Sequence, residues 1–278
     1  MNAFSICCAV RLDNPECITI ADGGTHLGDA ASAFVKHDQM IRFLREKHHW
    51  SMEAETPMYI GETNCAQSPE LCTSMNRALL YALYTHESAR RGWVGSVSPA
   101  VWAYSTCNAE GTVCGASDHK NDWPQEALII TPSTVVRQPP WIAHHMQSKH
   151  WATKSLAVEP ATSPCAGNGV IDILVLRNET GPLQLHIVAT CSVASSLSLS
   201  VAGAKLAPCG ADGESPLLDA GTVTTEVMSA PLTAFNTVAE PEKVWALPGT
   251  AAVVAGGGGV TVPLPAYSLT TVVLCAAK

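Results

Sequence analysis

The first 150 residues alternate between short apolar runs and helical segments. The apolar runs are Ala3–Val10, Pro57–Gly61 and Val94–Tyr104, and the helical segments are Ala33–Lys47, Leu71–Arg91 and Trp141–His150. Leu71–Arg91 has the clearest helical pattern, because Met75, Leu79 and Leu83 recur at four-residue spacing and Gly92 follows as a C-terminal cap. This order of strand and helix predicts βαβ units built on a parallel sheet.

The pattern changes near residue 151, after which short strand-like runs follow one another without helical stripes. Turn signals such as Gly181-Pro182 and Gly256–Gly259 separate these runs. The predicted strands are Gly169–Asn178, Leu183–Cys191, Leu197–Val201, Thr222–Val227, Val253–Val254, Val260–Pro263 and Ser268–Cys275. Such closely spaced strands are typical of an antiparallel β-sandwich. The predicted fold class is therefore α/β followed by all-β, with one domain over residues 1–151 and a second over 152–278.

Composition narrows the class of protein. Apolar residues make up 47% of the 278 residues, which is typical of a globular chain rather than a disordered one. The net charge of −8 comes without any Lys/Arg cluster, which argues against a nucleic-acid partner. No apolar stretch reaches the roughly 18 residues of a membrane helix. The first ten residues lack the basic start of a signal peptide and look like a strand entered within a domain.

The cysteines and histidines suggest no metal or cofactor site. There are 11 cysteines, none in a C-x-x-C pair, and the odd count leaves the redox compartment open. His48 and His49 are adjacent, so their side chains point apart on a helix or strand. His144, His145 and His150 also lack a spacing that would place them on one helical face. We therefore expect neither a metal nor a cofactor.

The strongest chemical signal is Glu62, in the segment Tyr59-Ile60-Gly61-Glu62-Thr63-Asn64. Its carboxylate directly follows a predicted strand, and in a (β/α)8 barrel that end of each strand carries the active site. A glutamate there can serve as the nucleophile or the general acid of a glycosidase. The residues alone leave a helix-capping or loop role equally open.

Five ordered segments resemble the end of the catalytic barrel of the α-L-arabinofuranosidases of glycoside hydrolase family 51. They are PMYIGETN, MNRALLYALYTHESARRGW, SVSPAVWAY, NDWPQEALIITPS and RQPPWIAHHMQSKHW. LTAFNTVAEPEKV and VPLPAYSLTTVVL resemble the segments that close the β-sandwich of that family. The resemblance covers most of residues 57–278. It implies the C-terminal part of a (β/α)8 barrel followed by a β-sandwich.

The resemblance also implies the chemistry. Glu62 would be the nucleophile of a retaining α-L-arabinofuranosidase, and Tyr59, Asn64 and Trp102 are the candidate substrate-binding residues. The acid/base glutamate of the family lies in an Asn-Glu pair on an earlier strand, which would fall upstream of Met1. The only Asn-Glu pair here is Asn178-Glu179, at a predicted strand–turn junction far along the chain. We therefore expect an isolated chain of this sequence to be weakly active or inactive.

Three alternatives remain open at this stage: a heparanase-like glycosidase, a non-catalytic carbohydrate-binding or interaction module, and an incomplete gene product. The expected partner is an arabinose-containing oligo- or polysaccharide, with self-association through an exposed barrel edge and no membrane. The location would be extracellular or secretory if a signal peptide lies upstream. Asn178-Glu179-Thr180 is a formal N-glycosylation sequon whose use the sequence does not decide.

Overall fold

The structure is a computed structural model that describes residues 73–91, 103–104, 127–130, 133–165, 169–201, 205–209, 222–253 and 259–277. Three of the predicted elements, Ala3–Val10, Ala33–Lys47 and Pro57–Gly61, lie outside the described residues.

Two helices are described, and both confirm the pattern in the sequence. Helix α1 spans Met75–Arg90 and is buried on nearly every side, so even Arg77 is only 1% exposed. Helix α2 spans Pro139–Lys149 and begins with two prolines, which fit the first turn because its N–H groups have no partner within the helix. Neither helix of the described chain has the length and apolar character of a membrane span.

A small sheet links the two helices in sequence. It contains β1 (Ala103–Tyr104), β2 (Leu128–Ile130) and β3 (Val135–Arg137), in that order. β1 and β2 pair in parallel, whereas β2 and β3 are antiparallel. The sequence analysis did not identify β2 or β3, which have three residues each and are too short for a clear periodicity.

The remaining ten strands form one large antiparallel sheet. The strands are β4 (Lys154–Leu156), β5 (Thr162–Pro164), β6 (Val170–Arg177), β7 (Leu183–Ala189), β8 (Ser195–Leu199), β9 (Lys205–Ala207), β10 (Thr222–Ser229), β11 (Ala246–Val253), β12 (Val260–Leu264) and β13 (Ser268–Ala277). The hydrogen-bonded order is β4-β6-β7-β13-β10-β11-β12-β8, with β5 on β6 and β9 on β13.

The two faces of this sheet pack into two different cores. On one face Ile173 of β6, Ile187 of β7 and Val262 of β12 belong to one apolar cluster, so the sheet curls over itself. On the other face Val188 and Leu269 pack with the buried side of both helices. The antiparallel β character of residues 152–278 is thus confirmed. Its division into two sandwich sheets and the domain boundary at residue 151 stay predictions.

One strand was predicted at the wrong length. The sequence analysis confined it to Val253–Val254, yet β11 begins at Ala246 and runs through Pro248 and Gly249. Those two residues are usual strand breakers. This part of β11 pairs with β10 on one side only, because β12 pairs with Ala252 and Val253 alone. Proline is tolerated at such a free strand edge, since no N–H donor is needed there.

Candidate functional site

The residues predicted from the sequence to form the active site lie outside the described residues. This holds for the proposed nucleophile Glu62 and for Tyr59, Asn64 and Trp102. The nearest described elements are α1, which follows the Glu62 segment in the chain, and β1, which begins directly after Trp102. The roles of these four residues therefore stay predictions.

The described residues bring together a different group of polar side chains, between α1 and the large sheet. His86 and Arg90 are one helical turn apart on α1, so they face the same neighbour, Asp172 of β6. Nδ1 of His86 lies 2.6 Å from Oδ1 of Asp172. Arg90 donates a hydrogen bond from each of its two terminal nitrogens to the same carboxylate, at 2.7 and 3.0 Å. It also donates a 2.7 Å hydrogen bond to the carbonyl oxygen of Ile173.

The charges in this group follow from burial and pairing. Burial alone would raise the pKa of Asp172, but its hydrogen bond with His86 and the adjacent Arg90 guanidinium outweigh burial and hold the pKa below its usual range. Burial lowers the pKa of His86 despite the opposing effect of Asp172. Asp172 is therefore ionised and paired with the Arg90 guanidinium. His86 is neutral and donates a hydrogen bond to Asp172 from Nδ1.

A second buried histidine lies beside this group. His186 of β7 donates from Nε2 to the carbonyl oxygen of His150 at 2.9 Å, which leaves Nδ1 as the unprotonated nitrogen. Its ring meets the ring of His86 edge-on at 6.3 Å between centroids, and Trp151 lies at 6.1 Å on a similar edge contact. Burial lowers the pKa of His186 to about 3, so this histidine is neutral at physiological pH.

This arrangement has parts of a catalytic triad, but the described residues supply no nucleophile to complete it. A His–Asp pair orients a base only when the second ring nitrogen reaches a nucleophile. Nε2 of His86 is buried and has no hydrogen-bond partner in the described part of the chain. Those residues also contain no cluster of three side chains able to hold a metal. The group therefore acts as a polar tether between α1 and the sheet.

Asn236 forms a second buried connection, between α2 and the loop before β11. Its amide nitrogen donates to the carbonyl oxygens of Arg137 and Val244 at 2.7 and 2.9 Å, and its side-chain oxygen accepts from the N–H of Val244 at 2.7 Å. The side-chain amide of Gln138 donates to the carbonyl oxygen of Asn236 and accepts from its backbone N–H. Asn236 belongs to the segment LTAFNTVAEPEKV, so the sequence resemblance had identified a residue that organises the fold.

Neither Asp172 nor Glu179 suits the role of a catalytic acid. Asp172 is the one buried carboxylate among them, and Arg90 keeps it ionised. Glu179, the acid of the Asn-Glu pair, lies on the turn between β6 and β7 as predicted, with its side chain 84% exposed and 3.2 Å from the amine of Lys154.

Sequence analysis missed the His86–Asp172–Arg90 group, although a signal was present. Asp172 is the only acidic residue within the strand-like run GVIDILVLRN, and a lone carboxylate in such a run needs a buried partner. The partner could not be found from the sequence, because His86 and Arg90 lie more than eighty residues earlier in the chain.

The fold of the chain matches those of solved glycosidases. No protein-family profile and no curated protein matches the chain. Among solved structures, a family 51 α-L-arabinofuranosidase from Bifidobacterium longum aligns with a TM-score of 0.60 at 15% identity, over 92% of this chain and 49% of its own. An α-L-arabinofuranosidase from Thermotoga maritima, solved as an arabinose complex, aligns with a TM-score of 0.59 at 11% identity, over 91% of this chain and 49% of its own. The chain shares the fold of part of the family 51 α-L-arabinofuranosidases.

A further glycosidase matches less well. The catalytic domain of GH30 xylanase C from Talaromyces cellulolyticus aligns with a TM-score of 0.51 at 13% identity, over 90% of this chain and 50% of its own. The chain spans about half the length of these three structures. The resemblance to family 51 is thus confirmed as a likeness in fold, and the chain has a glycosidase-like fold.

Proposed function

We propose that this chain is the C-terminal part of a retaining glycoside hydrolase of the α-L-arabinofuranosidase type. Its substrate would be a terminal arabinofuranosyl residue of an arabinan- or arabinoxylan-type glycan. The observation that carries the proposal is the fold match, which covers about nine-tenths of this chain and about half of the family 51 enzymes. The long helix α1, which follows the Glu62 segment in the chain, supports it as well, since the resemblance expects a helix there.

The proposed chemistry uses two carboxyl groups about 5–5.5 Å apart. Glu62 attacks the anomeric carbon and forms a covalent glycosyl-enzyme, while a second carboxyl group protonates the departing oxygen. That second group then removes a proton from water, which hydrolyses the intermediate. Tyr59, Asn64 and Trp102 would bind and orient the sugar ring.

Neither Asp172 nor Glu179 supplies the second carboxyl group, and the resemblance places that group upstream of Met1. Asp172 is ionised and held by Arg90, and Glu179 points to solvent on a turn. Loss of a general acid costs roughly 10²–10⁴ in rate. The chain by itself should therefore fail with substrates that need protonation of the leaving group, but it should still react with substrates that do not.

An activated substrate tests this division of roles. The chain should release dinitrophenolate from 2,4-dinitrophenyl α-L-arabinofuranoside in a burst of about one equivalent, because this leaving group needs no acid. The p-nitrophenyl arabinofuranoside, with a poorer leaving group, should react slowly or not at all. Azide should then accelerate release of the trapped sugar, since it attacks the intermediate without a base. Mass spectrometry should locate the trapped arabinofuranosyl group on the peptide that contains Glu62.

Two variants make the experiment decisive. Glu62→Gln should abolish the burst, whereas Glu179→Gln, on the exposed turn, should leave it unchanged. A burst that persists in Glu62→Gln, or a trapped sugar on a peptide that lacks Glu62, would refute the role of Glu62. Rapid turnover of the p-nitrophenyl substrate would instead show that a second acid exists in this chain.

The GH30 xylanase match supports one competing substrate class, a xylan. The TM-scores favour the arabinofuranosidase reading, at 0.59 and 0.60 against 0.51. The same burst experiment with a 2,4-dinitrophenyl xyloside separates the two. A burst with the xyloside and none with the arabinofuranoside would favour the xylanase class.

A further inference from the structure

The turn between β6 and β7 carries the single Asn-x-Ser/Thr sequence of the 278 residues, Asn178-Glu179-Thr180. The residue between Asn178 and Thr180 is not proline, so the sequence satisfies the requirement for N-linked glycosylation. All three residues are exposed in the structure. An acceptor sequence buried within a strand could not carry an oligosaccharide in a folded protein, whereas this one can.

The side chain of Asn178 is oriented so that its reactive atom stays available. Oδ1 accepts hydrogen bonds from the backbone N–H and the hydroxyl group of Thr153, at 3.2 and 3.3 Å. The amide nitrogen Nδ2 makes no hydrogen bond within the described chain. Thr153 therefore fixes the orientation of the amide while leaving the nitrogen uncommitted.

The space around the turn is open. Gly181 closes the turn with a φ of +113°, and a Cβ atom built there would meet nothing within 4 Å. The carboxylate of Glu179 forms an ion pair with the amine of Lys154, at 3.2 Å between Oε1 and Nζ. A sugar attached to Asn178 would thus extend into solvent without displacing a packed side chain.

Two disulfides give independent support for a compartment where such sugars are added. Cys165 after β5 is disulfide-bonded to Cys191 after β7, and Cys209 after β9 is bonded to Cys275 of β13. Disulfides persist in secreted and extracellular proteins and are rare in the reducing cytosol. Secretory compartments that form disulfides are also the site of N-glycosylation.

We propose that Asn178 is an N-glycosylation site of this protein. In the reaction, Nδ2 attacks the anomeric carbon of an oligosaccharide carried on a lipid diphosphate. A new C–N bond forms and the anomeric C–O bond to the diphosphate breaks. The lipid diphosphate leaves with the electron pair, and Nδ2 loses one proton. No atom is oxidised or reduced, so no further reactant is required.

The position of the site gives the glycan a structural role. β4, an outer strand of the large sheet, has all three residues exposed, including Leu156 at 37%. Its first residue, Lys154, pairs with Glu179 of the sequon. Unpaired strand edges invite association with other chains, and a bulky polar group beside them prevents it. A glycan on Asn178 would shield this edge.

The direct test uses the protein isolated from the cells that make it. Non-reducing digestion followed by peptide:N-glycosidase in ¹⁸O-water should convert Asn178 to ¹⁸O-labelled aspartate. The same digest should contain the two disulfide-linked peptide pairs. An unmodified Asn178 in a chain with both disulfides intact would overturn the proposal. So would a chain in which the four cysteines of these two bonds are all free thiols.

Translation of the full chain behind a cleavable signal sequence, in the presence of microsomes, provides the matched variants. The wild-type chain should show one glycosidase-sensitive mobility shift. Asn178→Gln and Thr180→Ala should both lose the shift, whereas Thr180→Ser should keep it because serine preserves the sequon. This readout does not require the variants to fold. Absence of the shift in the wild-type chain, or its persistence in Asn178→Gln, would refute the assignment.

Discussion

The imidazole of His86 and the carboxylate of Asp172 lie 2.6 Å apart, across the contact between helix α1 and strand β6. Both side chains are buried, at 0% and 7% exposure. Arg90 adds two hydrogen bonds to the same carboxylate from one helical turn further on. One acidic residue thus fixes both the distance and the rotation of the helix relative to the sheet.

Substitution Asp172→Asn tests this tether. The variant removes the carboxylate charge that Arg90 contacts at 2.7 Å, leaves the guanidinium with only Glu87 at 3.5 Å, and weakens the bond to His86. The free energy of unfolding should therefore fall by about 1.5–3 kcal/mol. Urea denaturation followed by circular dichroism measures the loss. The matched control is Glu179→Gln, which breaks the exposed pair with Lys154 and should cost less than about 1 kcal/mol. Equal effects of the two substitutions would contradict the proposed role of Asp172.

Stability should depend on pH through His186. Its pKa is lowered from an ordinary value of 6.5 to about 3, so the folded chain binds fewer protons than the unfolded chain between these pH values. The free energy of unfolding should therefore fall as the pH drops below 6.5, by up to about 1.4 kcal/mol per pH unit from this group. His86 shifts in the same direction and adds to the loss.

Substitution His186→Gln should flatten this dependence, because glutamine does not titrate yet can still donate to the carbonyl oxygen of His150. Denaturation midpoints at pH 4.5, 5.5 and 7.5 provide the comparison, and measurements at pH 7.5 and 8.5 should agree for both proteins. A wild-type chain equally stable at pH 4.5 and 7.5 would contradict the burial of neutral histidines.

Asn236 should be among the least replaceable residues of the described chain. Asn236→Ala leaves the buried N–H of Val244 and the carbonyl oxygens of Arg137 and Val244 without these partners, which should destabilise the fold by more than about 2 kcal/mol. Asn236→Asp retains an acceptor for Val244 but opposes two carbonyl oxygens, so it should also be unstable. The variant Asn178→Gln disturbs only exposed hydrogen bonds from Thr153 and should cost less than about 1 kcal/mol. Thermal melts of the three variants measure these differences.

The two disulfides should each stabilise the sheet by about 2–4 kcal/mol. The Cys209–Cys275 bond closes the longer loop, at a separation of 66 residues against 26 for Cys165–Cys191, so its loss should cost more. The paired variants Cys209→Ser with Cys275→Ser, and Cys165→Ser with Cys191→Ser, compare the two bonds directly by urea denaturation. Addition of reductant to the wild-type chain should lower its stability by at least the combined loss of these two bonds. Denaturation curves that reductant leaves unchanged would refute this prediction.

The local pattern of the sequence was sufficient to predict both described helices and the principal strands. Met75, Leu79 and Leu83 repeat with the period of a helix, and Pro139-Pro140 begin the second helix, because these signals arise within a few neighbouring residues. The order of the segments was also sufficient to identify the family 51 resemblance, which the fold comparison confirms.

Tertiary structure alone decided the extent of β11 and the pairing of Asp172 with His86 and Arg90. Pro248 and Gly249 resemble a turn in the sequence, yet β10 holds them in a strand. Asp172 resembles an isolated charge until α1 places its partners against it, from more than eighty residues away. The physical reason is the separation of the interacting residues along the chain. Local periodicity depends on neighbouring residues and predicts backbone conformation. The partner of a buried charge depends on contacts that form only when distant segments pack together.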